Sequence, residues 1–141
     1  MGDKLKLEIV SPDKLVLSEE VDEVTVPGLQ GQFGVLPGHT SFLATLDVGE
    51  LAYKKDKTTG YVFVNAGYAE VAADKITILA DSSELASDID VARAEESRQR
   101  AEDRVVRAPA GIEPTIDVAR AETALKKSLV RLQIAKERTQ Q

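Results

Sequence analysis

Apolar and polar positions alternate from the start of the chain. Leu5, Leu7 and Ile9 are separated by Lys6 and Glu8, a period of two that predicts a half-buried strand. A turn at Ser11-Pro12-Asp13 follows, and the pattern continues in short segments through Leu15, Leu17, Val21, Val24 and Val26. Residues 42–46 predict a further strand, ending in a turn at Asp47-Val48-Gly49. Residues 51–53 and 61–64 flank a polar hairpin tip over 54–60, and residues 67–71 and 75–79 flank a second tip at Ala73-Asp74. Many short strands without an intervening helix predict an antiparallel sandwich or barrel up to about Ala80.

From Asp81 the pattern changes. β-Branched residues thin out and Ala, Arg and Glu take over, which favours helix. Ser87 and Asp88 offer N-cap oxygens before Ile89. Pro109, Gly111 and Pro114 break the helix, and Thr115 caps a second one running toward Arg138. The heptapeptide Ile-Asp-Val-Ala-Arg-Ala-Glu occurs at 89–95 and again at 116–122, which predicts a hairpin of two similar helices. The fold class is therefore α+β in two parts: an antiparallel β-sandwich over 1–86, then an antiparallel two-helix hairpin over 87–141. The hairpin is thin. Its second helix has the stripe Val118, Ala121, Leu125, Leu129 and Leu132, while the first has only Ala94, Ala101 and Val105. An alanine methyl contributes a fraction of the ~1.5–3 kcal/mol of a buried Leu. Such a hairpin leans on the sandwich, leans on a partner, or moves between the two.

Residues 26–39, Val-Pro-Gly-Leu-Gln-Gly-Gln-Phe-Gly-Val-Leu-Pro-Gly-His, hold four glycines and two prolines among apolar residues that favour burial. Pro27-Gly28 and Pro37-Gly38 predict two turns around a short strand over 32–36. A sandwich corner and a docking loop both fit that pattern.

Hydrophobic residues make up 43% of the 141 residues and aromatics 4%, so the core is built of Val, Leu, Ile and Ala. Cysteine is absent and His39 is the single histidine, which excludes disulfides, thiolate chemistry and a histidine-rich zinc site. No apolar run approaches the ~18–20 residues that span a bilayer, and no secretory leader is evident, which predicts no direct membrane insertion. The net charge of −6 is uneven: residues 1–88 carry 7 basic and 15 acidic side chains, residues 89–141 carry 11 and 9. An acidic body repels phosphates and argues against nucleic acid.

Candidate chemistry is sparse. No Gly-x-Ser-x-Gly, His-Glu-x-x-His or Walker loop occurs, and no catalytic residue or metal ligand is assigned. Arg93 and Arg100 share a helix face, with Asp90 one turn ahead, and Lys127 and Arg131 share a face of the second helix. Intrahelical ion pairs and a basic pocket with one acid both fit this set.

Gly-Gln-Phe-Gly-Val-Leu-Pro-Gly-His at 31–39 resembles the signature of the epsilon subunit family of bacterial F-type ATP synthase, the mitochondrial delta equivalent. Asn-Ala-Gly-Tyr-Ala-Glu-Val at 65–71, Ile-Thr-Ile-Leu-Ala at 76–80 and Asp-Ile-Asp-Val-Ala-Arg-Ala at 88–94 fit the same family in order and spacing. Ser41 stands where the family often has proline. The resemblance implies a non-catalytic central-stalk subunit that couples gamma to the c-ring of a proton-translocating complex. It implies helices that extend toward the catalytic alpha and beta subunits and inhibit ATP hydrolysis. It also implies a peripheral location on the cytoplasmic face of the bacterial inner membrane. By the resemblance, Gln32 lies near the c-ring, His39 near gamma, and Phe33 belongs to the same rotor interface. No cofactor is required, and ATP enters as a regulatory ligand. Ile89, Asp90, Arg93 and Ala94 match the family's ATP-binding pattern. Glu84, Arg100, Lys127 and Arg131 fall at its other contact positions, Lys127 where an arginine fits better. The rival reading from another class is a free-standing nucleotide-sensing module.

Overall fold

The computed structural model describes residues 3–107 and 117–139. Seven strands come first: β1 Leu5–Ser11, β2 Lys14–Val21, β3 Glu23–Gly28, β4 Gly31–Val35, β5 Phe42–Lys55, β6 Thr58–Ala72 and β7 Lys75–Leu85. A 3-10 turn at Ala86–Asp88 leads to α1 Val91–Arg107, and α2 spans Val118–Thr139. The chain divides into two compact units, residues 1–86 and 87–141. The expected helix break over 108–114 and the cap at Thr115 lie outside the described residues, as does the side chain of Arg138.

The strands form one sheet in the order β2-β1-β7-β6-β5-β3-β4, antiparallel except where β1 runs parallel to β7. One sheet makes two layers because β5, β6 and β7 each turn a corner. Inward-facing positions are even in the first half of β5 (Leu46) and odd in the second (Leu51). On β6 the phase switches between Val64 and Ala69, and Asp47, Ala66 and Asp81 drop out of the ladders at the same level. The backbone reason is visible on β6, where Ala66 has φ 57 and Gly67 φ 117. A Cβ on Gly67 would stand 2.0 Å from the Leu79 carbonyl oxygen, so only glycine fits this corner. Asp47 Oδ1 accepts the Val48 N–H at 2.8 Å on the neighbouring strand.

The turn expected at Asp47-Val48-Gly49 is therefore a corner inside one long strand. β7 likewise runs past Ala80 to Leu85, since its composition changes at the corner before its backbone does. Pro27-Gly28 is not a turn. It lies in β3, and the chain reverses at Leu29-Gln30. The hairpin tip at Ala73-Asp74 is as expected, with both residues left-handed (φ 51 and 59). Between the layers lie Leu5, Leu7, Ile9, Val24, Val26, Leu51, Val62, Val64, Ile76 and Ile78, none more than marginally exposed. Val, Leu and Ile, with Ala69 and Ala80, make this core without a tryptophan.

In the second unit α1 and α2 pack on one another as a hairpin. The seam is Ala94, Arg98, Ala101 and Val105 facing Ala121, Leu125, Ser128, Leu132 and Ala135. Spacings of four and three keep it on one side of each helix. Ala94, Ala101, Ala121, Ser128 and Ala135 are buried, small residues that let two helices approach closely. The expected stripe is corrected at two positions: Val118 and Leu129 are 39% and 48% exposed, and Ser128 and Ala135 take the seam instead. Ser128 is accommodated because its hydroxyl donates to the Ala124 carbonyl at 3.0 Å.

Candidate functional site

Two regions carry the residues singled out from the sequence. The first is built by β3, β4 and the start of β5. Phe33, opposite Val26 in the β3–β4 ladder, is half-buried and meets Phe42 edge-on, ring centroids 5.3 Å apart. His39 also meets Phe42, in a tilted arrangement with ring centroids 5.0 Å apart, and its Nδ1 lies 2.8 Å from the Thr40 carbonyl oxygen. Phe33 and His39 are thus brought together through Phe42, a residue that sequence reasoning left in a strand. Gln32 is exposed on β4, an edge strand. Gly28 makes room for the Phe33 ring: a Cβ there would stand 2.9 Å from Cε1. Beside the ring, Gly28, Leu29, Gln30, Gly31, Leu43 and Thr45 line a groove of about 360 Å³.

The outer face of the layer that contains the start of β5 holds what sequence reasoning missed. Thr45 pairs with Tyr68, Tyr68 with Leu79, Leu79 with Val10 and Val10 with Leu15, one row across five strands. Leu15 is 56%, Tyr68 53% and Leu79 47% exposed, and Leu43 one row away is 67% exposed. The signal was present: these apolar residues fall on the phase of their strands opposite the core, where a solvated face would carry polar ones.

The second region is the helical unit. Ile89 and Ala94 are buried, Asp90, Arg93 and Arg100 exposed, Lys127 and Arg131 half-buried; Glu84, in the first unit, is half-buried near the end of β7. Asp90 caps α1. Its Oδ1 accepts the Arg93 N–H at 3.0 Å and its carbonyl accepts the Ala94 N–H at 3.0 Å. This corrects the expected caps at Ser87 and Asp88, which lie in the 3-10 turn before it. The intrahelical ion pairs of α1 run through Arg98, which binds Glu95 and, at 2.7 Å, Glu102. Arg98 holds the Glu95 carboxyl below its ordinary pKa. Neither Arg93 nor Arg100 makes a salt bridge among the described residues. Arg100 Nη2 donates instead to Ser97 Oγ at 3.2 Å.

Comparison with known proteins decides the family. The family model for the "ATP synthase, Delta/Epsilon chain, beta-sandwich domain" matches residues 4–86, and that for the "long alpha-helix domain" matches 87–136. The chain belongs to the ATP synthase delta/epsilon family. It is 50% identical over 134 residues to the ATP synthase epsilon chain of Nitratidesulfovibrio vulgaris (strain DP4), covering 95% of this chain and 97% of that one. It is 48% identical over 135 residues to the epsilon chain of Syntrophobacter fumaroxidans, covering 96% and 98%. Its fold is similar to a chain in the Euglena gracilis mitochondrial ATP synthase structure of OSCP, F1 and c-ring, with TM-score 0.77 at 19% identity, covering 98% of this chain and 82% of that one. A chain of the Tetrahymena thermophila mitochondrial central stalk and c-ring gives TM-score 0.55 at 14% identity, with 97% of each covered. Among the described residues no helix of this delta/epsilon chain is long and apolar enough to cross a membrane.

Proposed function

We propose that this chain is a non-catalytic rotor subunit of an F-type ATP synthase, its sandwich joining gamma to the c-ring and its helices restraining ATP hydrolysis. The complex would hold it at the cytoplasmic face of a bacterial inner membrane. The observation that carries the reading is the apolar outer row Leu15–Val10–Leu79–Tyr68 together with the Phe33–Phe42–His39 cluster. Large apolar side chains exposed in line on rigid strands cost solvation unless a partner covers them. Gamma is assigned to that face and to His39, and the c-ring to the β3–β4 turn beside Gln32. The chain's family membership supports both assignments. The test is assembly: wild-type chain should capture gamma, and Phe33→Asp should weaken capture of gamma and c-ring while the sandwich stays folded. Unchanged capture by Phe33→Asp would remove the docking assignment.

A second reading concerns the helices. Arg93, Ser97 and Arg100 present donors on one face of α1, with neither arginine taken by a carboxylate among the described residues. Arginines in that state suit a triphosphate. We infer that ATP is a regulatory ligand of the helical unit, through Ile89, Asp90, Arg93, Ala94, Arg100, Lys127 and Arg131. A free-standing nucleotide sensor would use the same residues without capturing gamma, so the capture experiment separates the two.

A further inference from the structure

The β6–β7 turn is an unusual one. Type I′ geometry needs two left-handed residues and favours Asn-Gly, yet here it is made by Ala73 and Asp74 (φ 51 and 59). A left-handed alanine is costly, and strain of this kind persists where the surroundings hold it. The surroundings do hold it. The Asp74 carbonyl accepts the Lys6 N–H at 2.9 Å, which ties the turn to the start of β1. Its carboxylate reaches the other way, where Oδ1 accepts the Gly38 N–H at 2.5 Å. Gly38 lies 36 residues away in sequence, in the Pro37-Gly38 turn that precedes His39. That turn has one bond of its own nearby, His39 N–H to the Leu36 carbonyl at 3.2 Å, and Leu36 is 55% exposed. The segment from Leu36 to Ser41 has neither strand ladder nor a buried anchor between Val35 and Phe42, apart from half-buried Pro37.

We propose that Asp74 is a positioning residue: its carboxylate latches the Pro37-Gly38 turn and so fixes His39 against Phe42 in the docking surface. The inference rests on the docking reading above and adds the residue that holds that surface in shape. A charge-assisted bond from a strained, doubly tethered turn is the one side-chain hydrogen bond seen to cross to this segment among the described residues. Without it, His39 would sample positions off the Phe42 ring, and a partner would have to order the loop on binding.

Two variants separate the latch from the turn. Asp74→Gly suits a left-handed position at least as well and removes the carboxylate, while Asp74→Asn keeps an acceptor oxygen and also tolerates that conformation. In the full chain, amide exchange at Gly38 should quicken about tenfold in Asp74→Gly with the melting temperature unchanged or higher, and stay near wild type in Asp74→Asn. Capture of gamma should weaken several-fold in Asp74→Gly and recover in Asp74→Asn. Unchanged Gly38 exchange in Asp74→Gly overturns the latch whatever the loop docks to. Quickened exchange with unchanged gamma affinity overturns its positioning role. Phe33→Asp, run alongside, reads the docking surface itself. Loss of capture there with retention in Asp74→Gly sinks the positioning role alone; retention in both sinks the docking reading and the positioning role with it.

Discussion

Asp90 and Asp117 hold the same place in two copies of one heptapeptide, and each closes the first turn of its helix. Asp90 Oδ1 accepts the Arg93 N–H at 3.0 Å; Asp117 Oδ1 accepts the Arg120 N–H at 3.1 Å. Their carbonyls accept Ala94 and Ala121 N–H, both at 3.0 Å, and those alanines are buried in the seam. The repeat is thus a helix start, repeated because two helices need the same cap and the same small first seam residue.

The cap gives Asp90 a structural duty besides any contact with nucleotide, and the two are separable. Asp90→Ala should destabilise the first turn of α1 by about 1 kcal/mol, read as faster amide exchange at Arg93 and Ala94. Asp90→Ser keeps an acceptor oxygen and should restore protection. If ATP affinity falls equally in both variants, the carboxylate touches the ligand. If it falls only in Asp90→Ala, Asp90 acts through the cap alone.

Neighbouring positions of β7 should respond oppositely to the same charge. Leu79→Lys alters a side chain 47% exposed and should change stability by less than about 0.5 kcal/mol while weakening capture of gamma. Ile78→Lys places an unpaired charge at a fully buried position and should prevent folding. Denaturation curves with a capture assay check both. A Leu79→Lys chain that captures gamma normally would remove the outer row from the interface.

The period of two was enough to read the sandwich, because Leu5, Leu7 and Ile9 or Ile76 and Ile78 cannot alternate so strictly on a solvated strand. It was not enough to read the corners. At Asp47 and Asp81 the inward phase changes parity, which in sequence looks like a strand end, while the ladders continue beyond. Pro27 looked like a turn because proline lacks a donor. It is tolerated in β3 because the β3–β5 register breaks between Thr25 and Gly28. Of the residues in the proposed docking surface, His39 and Phe33 stood out in their loop, while Phe42, Tyr68 and Asp74 did not. Their roles depend on cross-strand neighbours or on a contact 36 residues away, as with Gly38 and Asp74.

Acid should loosen the sandwich through its surface carboxylates. Lys4 bonds Asp22 at 2.6 Å, and Asp22 also accepts the Asp56 N–H at 2.7 Å. The Lys4 bond, then that backbone N–H, holds the Asp22 carboxyl below its ordinary value. Lys75, 2.6 Å away, does the same for Glu8 across the parallel β1–β7 pair. Folded-state values below the unfolded ones mean stability that is present above the unfolded carboxylate range and lost as pH falls below about 4. Both groups face solvent, so the slope should be shallow and flattened by salt. Lys4→Met should reduce it in melts between neutral and acid pH; an unchanged slope would show that other carboxylates set it.

A chain ending at Asp88 should fold cooperatively. Every member of the sandwich core cluster lies between Leu5 and Ala80, and β7 closes by Leu85. On the rotor reading it should still capture gamma, and a reconstituted complex carrying it should hydrolyse ATP faster than one with the full chain. Equal hydrolysis rates would take inhibition away from the helices.

Calorimetric titration with ATP tests the remaining reading. Five of the nine seam positions are alanine or serine, so apolar burial in the helical unit rests on few large side chains, buried Ile89 and Ile134 and half-buried Val105, Leu125 and Leu132. A ligand bridging them therefore shifts their equilibrium markedly: at 100 times its dissociation constant it adds ~2.7 kcal/mol, comparable to burying a leucine. Arg93→Ala and Arg100→Ala should each abolish most of the heat, since both arginines are exposed and neither is held by a salt bridge among the described residues. Arg98→Ala should leave ATP affinity largely intact but loosen α1, because its guanidinium is committed to Glu95 and Glu102. Lys127→Arg should tighten binding, a planar fork gripping phosphate better than an ammonium. No heat from the wild type at millimolar ATP, or equal heat from Arg93→Ala, would leave these arginines as solvated charges on a hairpin whose opening is governed by its protein partners alone.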